Sequence, residues 1–168
     1  VAQGSEFRVN TYTTFSQRNP SVAMDADGDF VVTWTSSEQD GSDYGVYGQR
    51  YNATGVAQGS EFRVNTYTTD RQSSPSVAMD ADGDFVVTWQ GYGQDDSVYG
   101  IYGQRYNAAG MAQGSEFVVN TYTNGGQFSP SVAMDADGDF VVTWQSYSQN
   151  GSYYSIYGKQ YTASGQEK

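Results

Sequence analysis

The chain repeats itself. Three consecutive units, Val1–Gly55, Val56–Gly110 and Met111–Gly165, keep one register throughout, and only Gln166, Glu167 and Lys168 follow. "AQGSEF" recurs at Ala2, Ala57 and Ala112. "PSVAMDADGDFVVTW" recurs unchanged at Pro20, Pro75 and Pro130. "YG(Q/K)(R/Q)Y" recurs at Tyr47, Tyr102 and Tyr157. A period of this length means one supersecondary unit per repeat. No composition shift marks a boundary, so residues 1–168 read as a single repeat array.

The alternation inside a unit predicts four strands. In the first unit, Glu6–Tyr12 sets Phe7, Val9 and Thr11 against Arg8, Asn10 and Tyr12, a period of two. Ser21–Met24 follows Pro20, which suits a strand start. Phe30–Thr35 puts Phe30, Val32 and Trp34 on one face, and Val31 on the other predicts burial on both sides. Tyr44–Asn52 sets Tyr47, Gln49 and Tyr51 against Val46, Gly48 and Arg50. Asp27-Gly28 is a strong hairpin signal between the second and third strands. Thr35–Asp43 is a longer polar loop, and Asn52–Gly55 begins a turn of small residues. No stretch has the spacing of a helix, and no apolar run is long enough to span a membrane.

The copies differ mainly in two places. One follows the first strand: "TFSQRN", "TDRQSS" and "NGGQFS" at Thr14, Thr69 and Asn124. The other is the long loop: "SSEQDGSD", "GYGQDDSV" and "SYSQNGSY" at Ser36, Gly91 and Ser146.

The expected fold is all-β: three four-stranded antiparallel repeats, each a β-propeller-like blade. A blade that begins at Pro20 borrows its fourth strand from the next unit. Glu6–Tyr12 is then left over and is expected to complete the blade that begins at Pro130. Propellers usually have four to eight blades, so three require a second chain or a longer array. A β-trefoil closes with three repeats, and a β-solenoid or filament needs no closure; both stand as alternatives.

Charge and composition exclude several functions. Nineteen Asp and Glu against eight Lys and Arg give a net charge of -11. A nucleic-acid partner needs a basic footprint, and so does an anionic membrane surface. With no Cys and no His, thiol chemistry, a Ser-His-Asp triad and histidine or thiolate zinc sites are all ruled out. Val1 opens on a repeat boundary with no initiating Met, which predicts a processed, excised or engineered piece.

Two sets of residues are candidates for a site. The first is the acidic turn Asp25, Asp27, Asp29, repeated at Asp80, Asp82, Asp84 and at Asp135, Asp137, Asp139. Three carboxylates in five residues can supply the oxygens a calcium ion wants. The spacing is not that of an EF-hand, since Gly28 comes early and Ser36 stands where the bidentate Glu belongs. Calcium is therefore the candidate cofactor, with none required. The competing reading is a plain hairpin turn in which Asp bonds local backbone. The second set is aromatic: Tyr44, Tyr99 and Tyr154, with the loop residues Tyr92, Tyr147 and Tyr153. Such rings stack on sugars, and repeated sites give avidity. Trp34, Trp89 and Trp144 share a face with Phe and Val and are expected in the core. Tyr47, Tyr51 and their copies are expected to form cross-strand ladders. Asn52-Ala53-Thr54 and Asn150-Gly151-Ser152 match the glycosylation pattern, a pattern that arises easily in such a composition.

The motifs "PSVAMDADGDFVVTW", "YGQRYNA" and "GSEFRVNTYT" together resemble the tandem repeats of large secreted or surface-attached bacterial proteins, over all three units to Gly165. The resemblance implies an extracellular or cell-surface setting, variable copy number and propeller-like architecture. It supplies no catalytic residues.

The acids recur identically, whereas an active site needs one distinct constellation. The expectation is therefore a non-enzymatic extracellular structural or adhesive module. It would assemble through open strand edges with copies of itself or a longer array, as an oligomeric ring or filament. The alternative is a multivalent carbohydrate-binding, lectin-like module.

Overall fold

The computed structural model describes residues 4–94, 98–151 and 153–168. Among these residues there are eleven strands and no helix. The first sheet is β1 (Gln17–Met24), β2 (Phe30–Ser37), β3 (Tyr44–Tyr51) and β4 (Ala57–Arg63), hydrogen-bonded in that order. The second repeats the pattern with β5 (Gln72–Met79), β6 (Phe85–Tyr92), β7 (Tyr99–Tyr106) and β8 (Ala112–Val118). The third holds β9 (Gln127–Met134), β10 (Phe140–Tyr147) and β11 (Tyr154–Tyr161). All pairs are antiparallel. Each sheet is an up-and-down meander like a propeller blade, and it takes its fourth strand from the following unit, as expected.

Two expectations need correction. The third sheet has three strands, not four. Glu6–Tyr12 is not a strand. Its copies β4 and β8 become strands by pairing with β3 and β7 of the preceding unit, and among the described residues no strand pairs with Glu6–Tyr12. The segment keeps only its contacts with the blade that follows it. Tyr51 donates to the carbonyl of Val9 at 3.2 Å, and Glu61 accepts from the backbone N–H of Thr11 at 2.7 Å. Tyr106 to Val64 and Thr66 to Glu116 repeat both bonds one unit later. Glu6–Tyr12 therefore lies on the first blade and does not complete the third.

The turns follow from their residues. Gly28, Gly83 and Gly138 have φ of +91°, +89° and +86°, a region open to glycine. Asn52 caps the β3–β4 turn, its Oδ1 accepting from the N–H groups of Thr54 and Val56. Gly48 faces Phe62 across the β3–β4 ladder. A Cβ on Gly48 would sit 2.8 Å from that ring, and Gly103 faces Phe117 in the same way at 2.6 Å. The glycine leaves room for the aromatic ring to lie over the strand.

The core lies between blades. One cluster joins Val31 and Val46 of the first blade to Val77, Phe85, Val87, Trp89 and Tyr102 of the second. The other joins Val86 and Ile101 to Val132, Phe140, Val142 and Trp144. Strand β6 thus sends Phe85, Val87 and Trp89 one way and Val86 the other, all buried, which accounts for the continuous apolar run in the sequence. Trp34 and Trp144 are buried too, and Phe85 stacks on Tyr106 at 4.8 Å. Polar bonds fix the register between blades. Arg105 donates to the carbonyl of Ala163 at 2.7 Å, and Arg50 donates to that of Ala109, one residue further along the corresponding turn. Ser21 Oγ and Ser76 Oγ accept from Val77 and Val132, both at 3.2 Å. Strands β1, β5 and β9 bulge at Asn19, Ser74 and Ser129, which have φ of 53° to 56° and precede prolines, an unfavourable combination. The preceding blade supports the last two: Thr35 Oγ1 accepts from Ser74 N–H, and Gln90 Oε1 from Ser129 N–H, each at 3.0 Å.

Candidate functional site

The two candidate sets lie at opposite ends of the sheets. In the first blade Met24 pairs with Phe30 and Phe30 with Tyr51, so the acidic turn and the Asn52 turn share one end. Gln17 pairs with Ser36 and Ser37 with Tyr44, so the long loop and the variable segment before β1 share the other. The next two blades repeat this.

At the acidic end the carboxylates serve the backbone. Asp25 Oδ1 accepts from the N–H groups of Asp27 at 3.0 Å and Asp29 at 2.9 Å. Asp80 and Asp135 do the same within Asp80–Asp84 and Asp135–Asp139. Asp29, Asp84 and Asp139 each accept from a turn N–H, of Ala53, Ala108 and Ala163. Asp27, Asp82 and Asp137 are exposed. Burial beside Gly138 raises the Asp80 carboxyl above the usual range, against two N–H donors that lower it. The Lys168 ammonium and the Ala163 N–H hold Asp139 below its ordinary value. Among the described residues no group of three or more acids is arranged to hold a metal ion.

At the other end the two variable segments meet. Backbone bonds join Ser37 to Ser16, Tyr92 to Arg71 and Tyr147 to Gly126. The rings form a row. Tyr92 lies edge-on to Tyr99 at 5.2 Å, Tyr99 lies 5.2 Å from Phe128, and Phe128 lies 6.3 Å from Tyr154. Tyr147 meets Tyr154 at 5.3 Å and Tyr153 at 6.4 Å. Tyr92, Tyr147, Tyr153 and Tyr154 are exposed, while Tyr99 and Phe128 are half-buried. The structure therefore gathers five of the six expected tyrosines into one surface spanning two blades.

Tyr44 stands apart, in a cavity of about 390 Å³ between the first and second blades. The Arg18 guanidinium lies 4.1 Å above its ring, and that of Arg71 lies 5.5 Å away. Arg71 is ion-paired with Asp43. Asn19, Ser73, Ser74, Gln90 and Tyr99 complete the lining with polar groups. The volume falls within the range of ~300–1,000 Å³ usual for small-ligand sites. Sequence reasoning missed Arg18, Arg71 and Phe128. All three lie in the first variable segment, whose divergence was visible, but only the fold shows that it faces the tyrosine loops.

Of the two glycosylation triplets, Asn52 spends its side-chain oxygen capping a turn, and Ser152 lies outside the described residues.

No family model matches the chain, and no curated protein matches it. Solved structures do. An endo-arabinase from Bacteroides thetaiotaomicron aligns with a TM-score of 0.58 at 14% identity, over 93% of this chain and 60% of that one. A protein of unknown function from Dyadobacter fermentans aligns at 0.62 and 16% identity, over 89% and 39%. A thermostable family-43 glycoside hydrolase aligns at 0.57 and 12% identity, over 89% and 55%. The chain thus spans three-fifths or less of each.

These likenesses correct the expectation of a non-enzymatic structural module that assembles through strand pairing. Structures sharing this fold include an arabinase and a glycoside hydrolase, and nothing found supports self-assembly or adhesion. The expectation that the chain is not an enzyme is corrected on the same finding. The acids do recur with the same bonds, but the opposite ends of the blades differ from unit to unit. Position 18 of the first unit is Arg, and its copies are Ser73 and Phe128. At this identity the likeness is one of fold: an all-β, propeller-like stack of antiparallel blades.

Proposed function

We propose that the chain is the carbohydrate-recognising part of a propeller-like protein and that it binds glycan on the aromatic end of its blades. The carrying observation is the row Tyr92, Tyr99, Phe128, Tyr154 and Tyr147, continuous across two blades and exposed over most of its length. Rings held by neighbouring rings lose little freedom when a sugar stacks on them. The lining of the Tyr44 cavity adds hydroxyl, amide and guanidinium groups of the kind that fix a sugar's orientation. The arabinase and glycoside hydrolase folds support the same reading. Its resemblance to secreted bacterial repeats supports an extracellular or cell-surface setting.

We further read the three blades as part of a larger ring. Val22 is 62% exposed where its copies Val77 and Val132 are buried, and Ile156 is exposed where Ile101 is buried. The end blades thus show the faces that the middle blade covers.

The test is affinity electrophoresis of the purified chain through gels cast with arabinan, xylan, mannan and pectic polymers, with release of reducing ends followed in the same samples. Retention by at least one polymer is expected, weakened about tenfold by Tyr99→Ala or Tyr154→Ala, as for aromatic anchors generally. Free migration through every gel would end the reading.

A further inference from the structure

The cavity between the first and second blades differs in charge from the rest of the molecule. The chain carries -11 with eight basic residues, and two of those eight, Arg18 and Arg71, converge on Tyr44. Neither belongs to the repeated scaffold. The copies of Arg18 are Ser73 and Phe128, and those of Arg71 are Ser16 and Gly126. The equivalent place between the second and third blades is filled by rings, Tyr99, Phe128 and Tyr154.

The two arginines are engaged differently. Arg71 bonds Asp43 through Nε and interacts with the Tyr99 hydroxyl, so the fold accounts for it. Arg18 is exposed and lies over Tyr44, with no carboxylate at ion-pair distance among the described residues. A guanidinium carries five N–H donors along the edge of a planar fork, and no carboxylate occupies those of Arg18 among the described residues. Such an edge pairs best with a planar or tetrahedral oxyanion. Asp43 offsets one of the two positive charges, so the cavity keeps an excess of one in a molecule whose field otherwise repels anions.

We infer that this cavity takes an acidic sugar, its anionic group on the free edge of Arg18 beside Arg71 and its ring against Tyr44 or Tyr99. The inference rests on the carbohydrate reading and narrows it. The neighbouring aromatic row takes the rest of the chain through ring contacts that need no charge, so a polymer crossing both is bound by stacking at one blade junction and by charge at the other.

The experiment measures binding of the whole chain by isothermal titration to polygalacturonate, to its methyl ester, to dextran sulfate and to dextran. Wild type is compared with Arg18→Ser, the residue present in the second unit, and Arg18→Lys. The Arg18 side chain makes no hydrogen bond or ion pair among the described residues, so both variants are expected to melt close to the wild type, as circular dichroism will check. Polygalacturonate should bind at least tenfold more tightly than its methyl ester. Arg18→Ser should remove that preference by weakening binding of the acid at least tenfold more than binding of the ester, with Arg18→Lys between. The same pattern for dextran sulfate over dextran, and not for polygalacturonate, would keep the acidic class and assign it to sulfate. Equal binding of ester and acid, together with equal binding of dextran sulfate and dextran, would overturn the inference and leave the carbohydrate reading intact. So would an acid preference that survives Arg18→Ser. No binding of any of the four, with none in the polysaccharide gels, would overturn both.

Discussion

Ile101 and Ile156 occupy the same place in successive units, yet Ile101 is fully buried and Ile156 is 72% exposed. The difference is the next blade. Ile101 packs against the third sheet through the cluster of Val132, Phe140 and Trp144, and Ile156 faces outward from β11. Truncating a buried Ile to Ala costs ~2–5 kcal/mol through lost transfer energy and a residual cavity. An exposed truncation stays within about 0.5 kcal/mol. Urea denaturation should therefore show Ile101→Ala losing several kcal/mol and Ile156→Ala almost nothing.

The acidic turns should respond to the loss of an acceptor and not to the loss of a charge. Asp80 Oδ1 accepts two backbone N–H bonds, from Asp82 and Asp84. Asp80→Asn keeps an oxygen in that place, whereas Asp80→Ala leaves both donors without it. The expected cost of Asp80→Ala is ~1–2 kcal/mol, and Asp80→Asn should cost less than half of that. Equal losses in chemical denaturation would show that charge is what matters there. Repeating the melts with and without calcium would then test an ion directly.

Stability should fall in strongly alkaline solution. Burial pushes the Tyr47 and Tyr161 hydroxyls up to about 12 from an ordinary value of 10.0, and drives Tyr106 up as well. The unfolded chain then loses these protons first. The contribution of these groups is complete below pH ~10 and disappears as the pH rises towards their folded values. Tyrosinate absorbance followed together with circular dichroism should show the buried rings ionising as the sheets melt. Ionisation near pH 10 of all fifteen tyrosines, with the fold intact, would contradict this.

Much of the architecture could be read from the sequence, because the alternation of Phe30, Val31, Val32 and Trp34 reports burial directly. The turn glycines could be read for the same reason: local backbone geometry leaves a local signature. Glu6–Tyr12 could not. Its alternation is that of β4 and β8, but a strand also needs an edge to pair with, and no residue within the segment carries that information. The site was half legible. Tyr92, Tyr99, Tyr147 and Tyr154 were identifiable by type, whereas Arg18 and Phe128 acquire meaning only once strand pairing brings the starts of β1 and β9 to the same sheet end as the tyrosine loops. Function was misread at the step from repetition to equivalence, since backbone repeats while the residues at the blade ends do not.

The open edge of β11 has a consequence for how the molecule loosens. Strands β6 and β7 are hydrogen-bonded on both sides and covered by a blade on each face, whereas β11 has one strand neighbour and only an isolated bridge from Tyr161 to Glu167 on its outer side. In an array whose cohesion comes from nearest neighbours, opening starts at the ends. Amide protons of β11 should exchange with solvent first, then those of β10, and those of β6 last. The aromatic row spans that gradient, with Tyr99 rooted in the slowest sheet and Tyr154 in the fastest, so a glycan lying across both would clamp the fraying blade to the middle one.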